Sequence, residues 1–189
     1  MHVDRAAFRQ AMAQFGSAVS VVTTDGPGGQ CGCTCTAVCS VTDEPATVLV
    51  CVHRDSRTNH ALKANLVFCV NLLNAEQEEV SALFAGQAGG EMADRFKRVD
   101  WRTSKTGSPV FEKAVATLDC SVAEIKEFGT HSILFGRVRA AETKLERAPL
   151  MYFNRGYHAL GRSMPSQSSA PEGSAGRTMN REEGAPSCQ

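Results

Sequence analysis

Between Cys31 and Ser40 the chain reads C-G-C-T-C-T-A-V-C-S, four thiols and three hydroxyls within ten residues. Thiols at this density first suggest a metal centre. On an extended strand, however, residues i and i+2 lie roughly 6.6 Å apart. Tetrahedral zinc draws its sulfurs closer than that, which is why structural zinc sites use C-x-x-C turns. No C-x-x-C occurs in the chain, so Cys31, Cys33, Cys35 and Cys39 read as small apolar residues rather than ligands. Counting by twos, Cys33, Cys35, Ala37 and Cys39 share one face, and Thr34, Thr36, Val38 and Ser40 the other. Every side chain here is short, so a planar ligand could approach the backbone amides closely.

A second constellation follows at His53-Arg54-Asp55-Ser56-Arg57-Thr58-Asn59. Ser56 reads as an N-cap with a helix beyond it. Free helix-start amides, hydroxyls and an arginine together suit a phosphate, although an ordinary capped helix explains the same residues. His131 stands at a Gly-Thr-His corner where a strand begins. Its ring either lines a cleft or sits satisfied at the surface. Cys39 with His131 could be drawn as a thiol–imidazole pair, but nothing local orients the two, and a buried strand cysteine is inert. No serine sits in a nucleophile elbow.

The elements that position these groups follow from the hydrophobic pattern. Cys31–Thr42 and Thr47–Val52 read as two strands joined by a turn at Asp43-Glu44-Pro45, the second buried on both faces. Upstream, Ala7, Phe8, Ala11, Met12 and Phe15 recur at helical spacing, with Asp4 as cap, and predict an amphipathic helix packed on the domain. Residues 17–24 predict a strand, and D-G-P-G-G at 25–29 a hairpin turn. Residues 66–73 predict a buried strand, and 75–85 a helix that buries Val80, Leu83 and Phe84. The glycine-rich, charged stretch 86–107 reads as a long loop with one short helix, a lid or partner contact. Strand pattern returns over 110–124, 132–140 and 150–153. About seven strands, few helices and no β-α-β alternation argue for an antiparallel barrel. The absence of G-x-G-x-x-G after a strand argues against a dinucleotide-binding Rossmann domain.

Lys plus Arg and Asp plus Glu balance at 20 each, which gives no surface for nucleic acid. No apolar run is long enough to span a membrane, and the first residues do not read as a signal peptide. The expected location is cytoplasmic, with the cysteines reduced. Residues 1–160 are expected to form one domain. Residues 161–189, rich in Gly, Pro and Ser, are expected to be a disordered tail.

T-C-T-A-V-C-S-V-T at 34–42, followed by D-E-P and the apolar strand, resembles the flavin-binding strand pair of the short-chain flavin reductases, the small components of two-component flavin monooxygenases. Further similarities come in order: F-R-Q-A-M at 8–12, T-T-D-G-P at 23–27, C-V-N-L-L at 69–73, L-F-A-G at 83–86, R-F at 95–96, G-T-H-S-I-L-F-G at 129–136 and Y-H-A-L at 157–160. Within that family the pattern is most similar to the reductases of pyrimidine utilisation and of 4-hydroxyphenylacetate hydroxylation.

The resemblance implies a mainly β fold, a Greek-key split β-barrel of the FMN-binding type with a few peripheral helices. It implies a homodimer that passes a hydride from NADH, or NADPH, to FMN, or FAD, and a diffusible reduced flavin that serves a separate monooxygenase. Carried over by position, Thr34, Cys35, Thr36 and Ala37 would meet the isoalloxazine through backbone groups. Ser40, Ser56 and Thr58, with Arg57, would hold the phosphate. Phe84, Ala85 and Gly86 would line the flavin edge, His131 would lie near the nicotinamide, and Tyr157 near the cofactor mouth. The chain departs from the family in carrying cysteines at 33 and 35, and Thr130 where many relatives have an acidic residue. A carrier that binds flavin without turning over nicotinamide is the alternative on the same barrel.

Overall fold

Continuous apolar runs over 46–53 and 67–72, and alternating apolar residues over 116–128 and 131–143, produce the long strands from which the molecule is built. The computed structural model describes residues 3–86 and 89–161; the tail expected over 161–189 lies, from residue 162 on, outside them. The elements in order are α1 (Arg5–Met12), β1 (Ser17–Ala18), β2 (Ser20–Thr24), β3 (Cys31–Cys35), β4 (Val38–Asp43), β5 (Ala46–His53), α2 (Arg57–Asn65), β6 (Val67–Leu72), α3 (Glu78–Phe84), α4 (Met92–Phe96), β7 (Trp101–Thr103), β8 (Pro109–Phe111), β9 (Ala116–Phe128), β10 (His131–Thr143), β11 (Leu150–Phe153) and β12 (Gly156–Ala159). Among the described residues no helix is long and apolar enough to cross a membrane.

The main sheet has seven antiparallel strands in the order β3-β2-β6-β9-β10-β5-β4. Its two edge strands, β3 and β4, are consecutive in the chain. The sheet therefore curls until its edges meet at Thr36–Ala37, where one stretch of backbone leaves the first edge and joins the other. No ladder joins β3 to β4 among the described residues, so the barrel is not closed by hydrogen bonds there. The single strand expected over 31–42 is thus two. Its alternating faces do not run through the break, and Cys39 and Ser40 beyond it are exposed.

Val22, Cys35, Val48, Val50, Val52, Phe68, Val70, Cys120 and Leu134 fill the inside of the curl, and Leu62 of α2 joins them. Val21, on the opposite face of β2, belongs to a second core with Leu83, Phe84, Met92, Phe96 and Phe111. The one short helix expected within 86–107 is α4, but that second core corrects the reading of the rest as loop. The Phe96 ring meets Phe84 and Trp101 edge-on at 5.1 and 5.9 Å, and β7 and β8 form a small hairpin. Ser104 and Thr106 hydroxyls and the Thr106 amide all donate to the buried Asp119 carboxylate, at 2.5–3.0 Å, and pin this hairpin to β9. A buried carboxylate with that many donors is a stable lock rather than a reactive group.

α1 also differs from expectation. Asp4 caps it, accepting from the Ala7 amide at 3.1 Å, but no residue of the helix is buried. Its attachment is polar. The Asn154 amide donates to Ala13 O at 2.7 Å, and the Gln14 side chain donates to Asn154 Oδ1 at 3.1 Å. These bonds hold the helix end on the β11–β12 turn, so Phe8, Met12 and Phe15 stay 55%, 47% and 64% exposed.

Candidate functional site

The break at Thr36–Ala37 leaves backbone and short side chains without a covering strand, and a cleft opens there. Cys33, Thr34, Cys35, Thr36 and Ala37 line one side. Cys51, Val52 and His53 come from the end of β5, Ser56 from the start of α2 and His131 from the start of β10; the volume is about 320 Å³. Small-molecule sites begin at about this size. The Cys51 amide donates to Ala37 O at 3.1 Å, which fixes the break against β5.

The sequence placed the start of α2 correctly. Ser56 Oγ accepts from the Asn59 amide at 3.1 Å and donates to His53 O at 2.8 Å. Both capacities of that hydroxyl are used, so an anion here would meet backbone first. The amides of Arg57 and Thr58 have no acceptor within the helix, as at any helix start.

His131 and His53 are directly opposed in the β5–β10 ladder. Opposed residues of an antiparallel pair project to the same face, and the two rings meet edge to face at 5.3 Å. Sequence reading singled out His131 but not His53. The signal was a register between strands far apart in the chain, and nothing local reveals it. Beside the pair, Glu127 receives Arg54 at 2.9 Å, Lys63 at 2.7 Å and the Ser132 hydroxyl at 3.0 Å. The Lys63 ammonium foremost, then the Ser132 hydroxyl and the Arg54 charge, hold its carboxyl below the usual range.

Of the residues singled out from sequence, Thr34, Cys35, Thr36, Ala37, Ser56 and His131 come together in the cleft. The others do not line it. Ser40 is exposed on the edge strand. Arg57 pairs with Glu91 at 3.2 Å. Thr58 is buried and donates to Gly32 O at 3.1 Å, clamping α2 onto β3. Phe84 is core, and Ala85 and Gly86 are exposed beyond the end of α3. The Tyr157 hydroxyl meets Ser81 Oγ at 2.9 Å, and Ser81 O accepts from Thr34 Oγ1 at 2.6 Å. Tyr157 is therefore linked to the cleft through α3.

The arrangement fits a flavin. Its floor holds no side chain larger than threonine from 33 to 37, and the break leaves edge backbone near a flat ring. A helix start with orphan amides adjoins the cleft through Ser56.

Three thiols lining the cleft, Cys33, Cys35 and Cys51, raise the question of reactivity. Burial pushes Cys33 up to about 12, with Cys35 adding to the effect, and pushes Cys35 up to about 11. Burial raises Cys51 as well. Cys120 is pushed to about 12 and Cys69 higher, again by burial first and then by the Asp119 charge. The thiolate is the nucleophile. Iodoacetamide at pH 8, followed by peptide mass mapping, is expected to label exposed Cys39 and leave Cys33, Cys35, Cys69 and Cys120 unlabelled. Rapid labelling of Cys35 would overturn this. The sign for stability follows from the same shifts. Unfolded thiols ionise near 9.0 and these folded ones do not, so stability is complete below that pH and falls as pH rises above it.

The family described as flavin reductase like domain matches residues 12–161. FMN reductase (NADH) RutF of Ancylobacter novellus is 47% identical over 158 residues, covering 84% of this chain and 86% of that protein. The 4-hydroxyphenylacetate 3-monooxygenase reductase component of Pseudomonas aeruginosa is 46% identical over 154 residues, covering 82% and 91%. The solved NADH:FAD oxidoreductase SgcE6 of Streptomyces globisporus, in complex with NAD and FAD fragments, superposes with a TM-score of 0.76 at 31% identity, covering 87% of this chain and 96% of that one.

Proposed function

The chain belongs to the flavin reductase-like family, and on that premise we propose that it is an NADH-dependent FMN reductase supplying diffusible reduced flavin to a separate monooxygenase. The observation that carries this reading is the cleft at Thr36–Ala37, lying in the part of the chain that matches relatives named FMN reductase (NADH). When bound, FMN supplies the hydride acceptor for the reduced nicotinamide. Transfer between two stacked rings needs alignment more than an acid or base, which accounts for a site without a proton-transfer triad.

The protein's part is to position. Backbone at Thr34, Cys35, Thr36 and Ala37 holds the isoalloxazine edge. The Arg57 and Thr58 amides take the phosphate, with Ser56 holding the helix start in place, and His131 stands where the nicotinamide enters. Tyr157 braces the cleft from behind through Ser81 and Thr34, while Phe84, Ala85 and Gly86 at the end of α3 stand outside it. FAD and NADPH are the second choices for each ligand, and the location is cytoplasmic.

The working form is a homodimer. The apolar face of α1 supports this, because Phe8, Met12 and Phe15 are left largely exposed among the described residues. Light scattering is expected to give twice the chain mass. Met12→Glu, which places a charge on that face, is expected to weaken association at least tenfold. A wild-type monomer at all concentrations would refute the dimer.

The deciding assay follows NADH oxidation at the nicotinamide absorbance with and without FMN or FAD. Turnover that rises and saturates with flavin establishes the reductase. Protein that binds flavin yet oxidises neither NADH nor NADPH would be a carrier instead.

A further inference from the structure

The polar groups around the cleft do not all face a ligand. Arg54 is drawn to Glu127 at 2.9 Å and to Gly129 O at 3.3 Å, and Arg57 is drawn to Glu91 at 3.2 Å. The two arginines beside the helix start are therefore engaged by other groups. The imidazoles are placed differently. The Asp55 amide donates to His53 Nδ1 at 3.3 Å. An Nδ1 that accepts leaves the neutral ring with its proton on Nε2. His131 Nδ1 likewise meets Thr130 Oγ1 at 2.9 Å. Among the described residues no group bonds Nε2 of either ring, and both rings line the cleft with Ser56.

From this geometry we infer that His53 is a binding residue of the site: its Nε2–H donates to a phosphoryl oxygen of a bound nucleotide, and its ring fixes the plane of His131. The inference rests on the reductase reading for the identity of that nucleotide. The phosphate belongs either to the flavin or to the nicotinamide dinucleotide, and His53 is positioned for the one that lies across the mouth beside His131. Asp55 sets the tautomer and thus makes the ring a donor.

Two variants separate the donor from the ring. His53→Phe keeps an aromatic ring against His131 and removes both nitrogens. His53→Gln restores an N–H near the place of Nε2. Both sit at an exposed position, and thermal melts are expected to match wild type. FMN and NAD+ dissociation constants are measured by titration, and KM and kcat by NADH oxidation. His53→Phe is expected to weaken one ligand about tenfold with kcat within about twofold, and His53→Gln to recover most of the loss. The constant that moves names the source of the phosphate. Unchanged constants in His53→Phe would overturn the inference. A loss confined to His53→Gln would also overturn it, leaving the ring a packing element only. If wild-type protein shows no flavin-dependent oxidation, the reductase reading fails, and the two binding titrations still decide His53.

Discussion

Replacing Ala37 with tyrosine is expected to abolish flavin-dependent NADH oxidation while leaving the fold intact. Ala37 lies in the two-residue break between the sheet's edge strands, and its side chain is exposed in the cleft. The backbone there is fixed by the bond from the Cys51 amide to Ala37 O, which a side-chain change does not touch. An exposed substitution away from core and caps costs within about 0.5 kcal/mol, so the melting temperature should hold. The cleft, at about 320 Å³, has no room to accept both a phenol and a three-ring ligand. Losing the stacked position should cost at least ~100-fold in flavin affinity, about 2.8 kcal/mol. Ala37→Ser, which stays short, should bind within about threefold of wild type by the same scale. Flavin fluorescence titration reads the affinity directly. Tyrosine-bearing protein that still binds FMN within threefold of wild type would place the flavin elsewhere.

Chemistry that depends on short-range spacing was legible in the sequence, and chemistry that depends on register was not. The Ser56 cap could be read because a cap is made within four residues, and the strand ending before it could be read from its β-branched run. The break at Thr36–Ala37 could not. Thr36 and Ala37 continue the alternation smoothly, and only the curl of the sheet, which brings β3 and β4 to opposite edges, forces the chain to change partners there. The same curl sets His53 against His131. It also explains why Thr58, read as a phosphate hydroxyl, donates to Gly32 O instead: α2 lies across β3, and a buried hydroxyl takes the nearest carbonyl.

The misreadings elsewhere share one cause. Met92, Phe96 and Trp101 stand in a glycine-rich, charged stretch whose composition suggests a loop, yet Met92 and Phe96 are buried in the core with Phe84 and Phe111, and Trp101 packs against it. Average composition hid three anchors. α1 shows the converse, with a regular apolar stripe left exposed because polar bonds at its C-terminal end decide its direction. A helical stripe states that something must cover it, not that its own domain does.

The last expectation concerns the core that makes the curl possible. Gly136 lies in β10 beside an irregularity in its pairing with β9. A Cβ added there would stand 2.7 Å from Phe68 Cε1 and 3.0 Å from Cys120 Cβ. Both neighbours are fully buried inside the sheet, so neither can retreat into solvent. Gly136 is outside the left-handed region, so alanine meets no backbone penalty and the effect isolates overpacking. Gly136→Ala should destabilise by about 3 kcal/mol, at the upper end for an extra methyl in a tight core. The melting temperature should fall by about 10 °C. Phe68→Leu alone should destabilise as well, by about 1 kcal/mol, since it leaves space. Combined with Gly136→Ala, however, it should recover part of the loss, because the removed ring is what the methyl strikes. A coupling of at least about 1 kcal/mol in urea unfolding would show the two side chains sharing one volume. A single Gly136→Ala variant within about 0.5 kcal/mol of wild type would mean that the β9–β10 irregularity relaxes to admit the methyl. The inside of the curl would then be looser than its buried side chains indicate.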